Sequence, residues 1–147
     1  MSLPPVTVRL DPRRLDQLKA IASAMNLTNA GVIAAFIREK IAKGVIPADI
    51  PGVVVRKADK GVTVGLREGG ETVMTEAGAQ ALARTIREVV AGDSAPHTIN
   101  PGHNFAVQKQ GTGLKVALPF GGKPEDAVSF PPDLAIDLAD LIDKAAA

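Results

Sequence analysis

Along residues 5–18, PVTVRLDPRRLDQL, five positions alternate apolar and polar before the apolar spacing changes to three and four. Val6, Val8 and Leu10 fall on one face of a short strand, and Thr7 and Arg9 on the other. Asp11 then suits the N-cap of a helix and Pro12 its first turn. Leu15, Leu18, Ile21, Ala22 and Met25 follow as one apolar stripe. Asn26 fits a left-handed helix terminus, and Thr28 fits the N-cap of a second helix. That helix carries Val32, Ile33, Phe36, Ile37 and Ile41 inward and stops at Lys43-Gly44, with Pro47 and Pro51 preventing its resumption.

A lone strand with no hairpin partner leaves its backbone donors and acceptors unpaired. Strand, helix, helix in about 40 residues is also too little to bury two apolar stripes without metal, disulfide or oligomerisation. The chain has no cysteine, which removes disulfides, thiolate catalysis and cysteine-ligated metals. Dimerisation is the physically favoured solution. Two copies of the strand pair antiparallel about a twofold axis, with Val6, Val8 and Leu10 on the helices and Thr7 and Arg9 outward.

The overall charge of +1 divides unevenly. Residues 1–44 carry seven Lys and Arg against three acids, a net +4, and residues 45–147 carry ten against thirteen, a net −3. A basic front and an acidic body point to a polyanion partner at the front. Four Phe with no Trp or Tyr make base-stacking platforms for single strands an improbable use of that charge.

Residues 6–44, VTVRLDPRRLDQLKAIASAMNLTNAGVIAAFIREKIAKG, resemble the ribbon-helix-helix DNA-binding module of bacterial and phage repressors. The alternating strand, the helix directly after it and the turn NLTNAGVI carry the likeness over about a quarter of the chain. The resemblance implies an intertwined homodimer whose two-stranded ribbon enters the major groove of double-stranded DNA. It assigns base reading to Thr7 and Arg9, and a backbone phosphate to Thr28, Asn29 and Ala30 at the start of the second helix, where free N–H groups favour an anion. Pro5 stands where many relatives carry a polar or basic side chain, which leaves two readers per chain. Arg13 and Arg14 are candidates for phosphate contacts, against the ordinary solvated role of first-turn arginines.

Residues 45–52, VIPADIPG, read as a linker, which sets the organisation as 1–44, linker 45–52 and a body at 53–147. The body repeats itself. Aligned at an offset of 52, VVVRKADKGVTVGLREGG (53–70) and FAVQKQGTGLKVALPFGG (105–122) share seven of eighteen residues. After four inserted residues, Ala79, Leu82, Ala83 and Ile86 match Ala135, Leu138, Ala139 and Ile142. Each repeat, 53–91 and 105–146, reads as three strands and a helix. The expected strands lie near 53–57, 62–67 and 71–74, then 105–109, 114–119 and 127–130, with helices near 76–91 and 132–145. Gly61 and Gly113 fit hairpin turns needing a positive φ. Thr75 suits a cap and Pro131-Pro132 a helix start. The two units are expected to pack about a pseudo-twofold axis, with their helices on one face of an antiparallel sheet.

The fold class is therefore α+β: a ribbon-helix-helix forming an intertwined dimer, followed by an internally duplicated strand-strand-strand-helix domain. Catalytic chemistry finds no constellation. Ser129 has no histidine near it in sequence, and Asp133, Asp137 and Asp140 read as a solvated helix face rather than a metal site. His97 and His103, in the segment joining the repeats, lack the further ligands of a metal sensor. No cofactor or metal is expected, and no catalytic residue is assigned.

With no charged-then-apolar leader before residue 5 and a densest apolar run of seven residues, GVIAAFI, the chain is expected to be cytoplasmic and without a membrane span. The expected function is that of a sequence-specific transcriptional regulator, a repressor. The alternatives are an antitoxin, a plasmid partition or relaxosome accessory protein, or a dimeric interaction protein that binds no DNA. The composition leaves open the operator, the partner or ligand of the body and whether dimers pair into tetramers on DNA.

Overall fold

In the computed structural model, which describes residues 5–67, 69–93, 95–121 and 126–147, two helices precede two antiparallel sheets and two further helices. The chain divides into two units, the first ending at Ala48 and the second comprising Asp49–Ala147.

In the first unit, α1 (Pro12–Met25) and α2 (Asn29–Ala42) form a hairpin bent by 83°. Asn26 closes α1 in the left-handed conformation (φ 55°, ψ 44°). The Asn26 N–H donates to Ser23 O and the Leu27 N–H to Ala22 O, which satisfies the last carbonyls of the helix. Residues 6–10, expected as a strand, form none in the single chain: they lie exposed and without a backbone partner among the described residues. Val6, Val8 and Leu10 face solvent, as do Ile33, Phe36 and Ile37, which were expected inward. The physical reason is size, because two short helices offer each other one contact stripe and have nothing to lay over the rest.

The second unit holds a three-stranded sheet, β1 (Val54–Ala58), β2 (Gly61–Gly65) and β3 (Glu71–Met74), followed by α3 (Glu76–Ala91). A four-stranded sheet follows, β4 (His97–Asn100), β5 (Phe105–Gln110), β6 (Gly113–Ala117) and β7 (Val128–Phe130), then α4 (Pro132–Ala146). Two sheets thus replace the single sheet expected, because no ladder joins β1–β3 to β4–β7. β4 was also not expected. Its residues HTIN sit in a segment rich in Pro and Gly, and only pairing with β5 makes them a strand. Ile50, read as linker, is buried in the core of this unit.

The helices lock the two sheets together. α3 packs on α4 and reaches β2, β5 and β6, while α4 reaches β1, β2 and β6. Their contact is built from small and apolar residues with no exposure, among them Ala79, Leu82, Ala83 and Ile86 on α3 and Ala135, Leu138, Ala139 and Ile142 on α4. Each helix C-terminus receives a lysine from the opposite sheet. Lys57 Nζ on β1 donates to Ala147 O (2.8 Å), and Lys109 Nζ on β5 donates to Val90 O (3.2 Å) and Val89 O (3.4 Å). A cation there opposes the negative end of the helix dipole. Arg87 on α3 pairs with Asp140 (2.8 Å) and with Asp143 on α4, so the carboxylate row of α4 is partly an inter-helix bridge and not only a solvated face. The hydrogen bond to Asp140, then that to Asp143, raises the guanidinium pKa.

Gly61 has the expected positive φ (158°) and Gly113 does not, and both serve a further purpose. In the second hairpin the positive φ belongs to Gly111 (59°). A Cβ on Gly61 would instead overlap the Met74 carbonyl oxygen, and one on Gly113 the Phe130 carbonyl oxygen, as the third strand closes over each glycine. Gly113→Ala is expected to cost about 1–3 kcal/mol by overpacking against backbone that cannot move aside. Urea unfolding of the variant checks this, and a midpoint within error of the parent would contradict it.

Candidate nucleic-acid interface

The residues expected to face DNA all lie in the first unit, and its local chemistry explains their placement. Thr7 and Arg9 are exposed on the segment before the first helix. Asp11 ends that segment and begins α1: Oδ1 accepts from the Arg13 N–H (2.8 Å) and from Arg13 Nε (3.0 Å), and Oδ2 accepts from an Arg13 terminal nitrogen (2.9 Å). The Asp11 carboxylate is therefore both helix cap and ion-pair partner. The Arg13 side-chain bond, then the Arg13 N–H, hold its pKa below the ordinary value of 3.8. Arg13 correspondingly holds its proton more tightly. Arg14 donates to Gln17 Oε1 (2.9 Å), and these four residues line an open cleft of about 430 Å³.

Arg13 and Arg14 thus differ from Arg9. Arg13 spends its guanidinium on a neighbouring carboxylate, which neutralises much of its field. Arg14 is held by a neutral amide and keeps its full charge.

At the second helix Thr28 is the N-cap, its Oγ1 accepting from the Gly31 N–H (2.9 Å). The N–H groups of Asn29 and Ala30, one and two residues into the helix, have no intrahelical acceptor by the geometry of a helix start. No side chain accepts from them among the described residues. Gly31 keeps this corner tight, since a Cβ there would stand 3.2 Å from Thr28 Oγ1. Thr28, Asn29 and Ala30 therefore present donors at the positive end of a helix dipole. Further along, Lys40 stands over the Phe36 ring (5.1 Å) and Lys43 pairs with Glu39 (2.7 Å).

The remaining candidates lie in the second unit. Ser129 donates to Gln110 Oε1 (2.6 Å) across the outer face of the sheet. The His103 N–H donates to Asn100 Oδ1 (3.0 Å) in the β4–β5 turn, and its ring lies against Gly78. Among the described residues no group of three or more His, Cys, Asp or Glu is placed to hold a metal ion, and no single helix is long and apolar enough to cross a membrane. Sequence reasoning did not foresee that Asp11 engages Arg13. An acid two residues before an arginine at a helix start is the signal that could have suggested it. Compared with protein-family models, with curated proteins and with solved structures, the chain matches none.

The depressed pKa of Asp11 has a defined sign in stability. Its charge contributes above the unfolded value and is lost as pH falls through the lower folded value. Asp11→Asn keeps a capping oxygen and removes the charge. It should therefore be less stable than the parent at neutral pH, the difference shrinking below about pH 4. Thermal melts across that range check it, and a difference independent of pH would refute the ion-pair contribution.

Proposed function

We propose that the chain is a homodimeric transcriptional regulator, a repressor, that binds double-stranded DNA through a ribbon-helix-helix module and acts in the cytoplasm. The observation that carries this reading is the state of residues 5–10: outside any helix or strand, exposed and without backbone partners among the described residues, on a unit whose single buried residue among those described is Ala22. Val6 is 89% exposed and Val8 77%. A second copy of the segment, antiparallel to the first, satisfies the backbone and turns Val6, Val8 and Leu10 onto the exposed Ile33, Phe36 and Ile37. Burying an apolar side chain of this size stabilises by about 1.5–3 kcal/mol, and each copy contributes several.

The same pairing sets Thr7 and Arg9 of both chains in one outward row. A two-stranded ribbon fits the major groove, where arginine can hold guanine bidentately and threonine can meet a thymine methyl. Thr28, Asn29 and Ala30 would clamp a phosphate with the free N–H groups at the start of α2. Arg14 is the better placed of the two first-turn arginines for a further phosphate, since Arg13 is engaged by Asp11. The net +4 of residues 1–44 supplies the non-specific attraction.

We read the second unit as an internal duplication. Its support is the strand register. The pairs Val54↔Gly65, Val55↔Val64 and Arg56↔Thr63 recur, 52 residues on, as Ala106↔Ala117, Val107↔Val116 and Gln108↔Lys115. Likewise Val62↔Met74 recurs as Leu114↔Phe130, with the four-residue insertion falling between its members. The exchanged lysines, Lys57 and Lys109, occupy matching positions. A rigid duplicated body suits the holding of dimers or a partner beside the DNA.

The test is a binding titration of the full chain on a duplex taken from upstream of its own coding sequence. Arg9→Ala should lose about 1–3 kcal/mol per guanine contact, with affinity falling steeply as salt rises. Unchanged affinity in a folded Arg9→Ala chain would defeat the reading.

A further inference from the structure

The two sheets of the second unit differ in one respect: among the described residues β5 has a strand on each side and β1 has only β2. β4 covers the far edge of β5 through Thr98↔Val107 and Asn100↔Phe105. The matching edge of β1 pairs with no further strand among the described residues, although the Val53 N–H at its start donates to Ile50 O (3.0 Å). The difference is felt in the core. Phe105 and Val107, on the helix-facing side of β5, have no exposure, whereas their counterparts Val53 and Val55 remain half-buried at the rim of the same core.

Which backbone groups the open edge offers follows from the hairpin. A two-residue turn, Asp59-Lys60, makes Ala58↔Gly61 the hydrogen-bonded closing pair. Bonded pairs alternate along an antiparallel ladder, so Ala58, Arg56 and Val54 bond to β2, and Lys57, Val55 and the Val53 carbonyl aim outward, the Val53 N–H being taken by Ile50 O. β5 keeps the same phase, since the Lys109 N–H reaches past Gln108 to Pro96 O (2.6 Å) on the β4 side. An edge of this kind, with an apolar rim, takes an extended strand.

We propose that the open edge of β1 pairs antiparallel with β1 of a second copy of this chain, joining two three-stranded sheets into one across a twofold axis. The pairing takes its partner from the homodimer proposed above and so rests on that reading. An isologous contact of this kind has a twofold axis of its own. The register centres on Val55: Val55 stands opposite its copy, Val54 opposite Arg56 of the partner subunit and Val53 opposite Lys57 of the partner subunit. No like charges face each other, and the β-branched pair at the centre closes the rim left open over the core.

Because the chain lacks cysteine, single cysteines report the register cleanly. A hydrogen-bonded antiparallel pair sets its Cα atoms about 5.5 Å apart, inside the range of about 4.4–6.8 Å that a disulfide spans. Under mild oxidation, full-length Val55→Cys should form a covalent dimer at least about tenfold faster than the exposed control Lys60→Cys, because pairing holds the thiols together. A mixture of Val53→Cys and Lys57→Cys chains should cross-link to each other in preference to themselves, which tests the same register with the central valine intact. Cross-linking of Val55→Cys at the control rate in a chain that still binds DNA as a dimer would overturn the edge pairing alone. Fast cross-linking in a chain that binds no DNA would sustain the edge pairing and overturn the ribbon reading instead.

Discussion

Apolar surface that one copy of the chain cannot cover by itself governs the first unit and recurs at the edge of the second. In the first unit the α1–α2 hairpin has one stripe of mutual contact, and beyond it every large apolar side chain is at least partly open. In the second unit the deficit narrows to the rim of one strand, where Val53 and Val55 sit half-covered. Hydrophobic burial is non-directional, so it demands cover without specifying what supplies it. Backbone hydrogen bonding is directional. An extended segment with free N–H and C=O groups accepts another extended segment, and a strand from a second copy is the cover proposed above for both places.

The second unit obtains its own rigidity from reciprocity. Each helix leaves its own sheet in part to pack on the other, and each sheet sends a lysine to the far helix's C-terminus. Arg87 bridges to two carboxylates across the helix pair. The bridge is more than a third exposed and is worth no more than about 1 kcal/mol after screening. The alanines of α3 and α4 matter more. Fully buried small residues let the two helices approach closely, and the larger Leu and Ile beside them fill the layer between helices and sheets at the density of a protein interior.

Local signals carried the helix ends and most strands. Asp11, Asn26, Thr28 and Thr75 act at the termini where their side chains suggest, because capping depends on atoms within a few residues of each other. Thr7, Arg9 and Thr28 lie exposed, while the strand that the alternation of residues 6–10 implies is not formed by the single chain. The link between Asp11 and Arg13 was harder to see, since it depends on a rotamer and not on a period.

By itself, the sequence determined the apolar periods, the caps and the charge asymmetry, which follow from neighbours along the chain, and the repetition at an offset of 52. Tertiary structure alone decided that there are two sheets, that HTIN becomes a strand against β5, that Ile50 belongs to a core, and that Gly61 and Gly113 yield space to a carbonyl oxygen. The reason is common to all four. Each depends on which distant backbone comes alongside, and pairing between strands far apart in sequence leaves no periodic mark on the residues that will be paired.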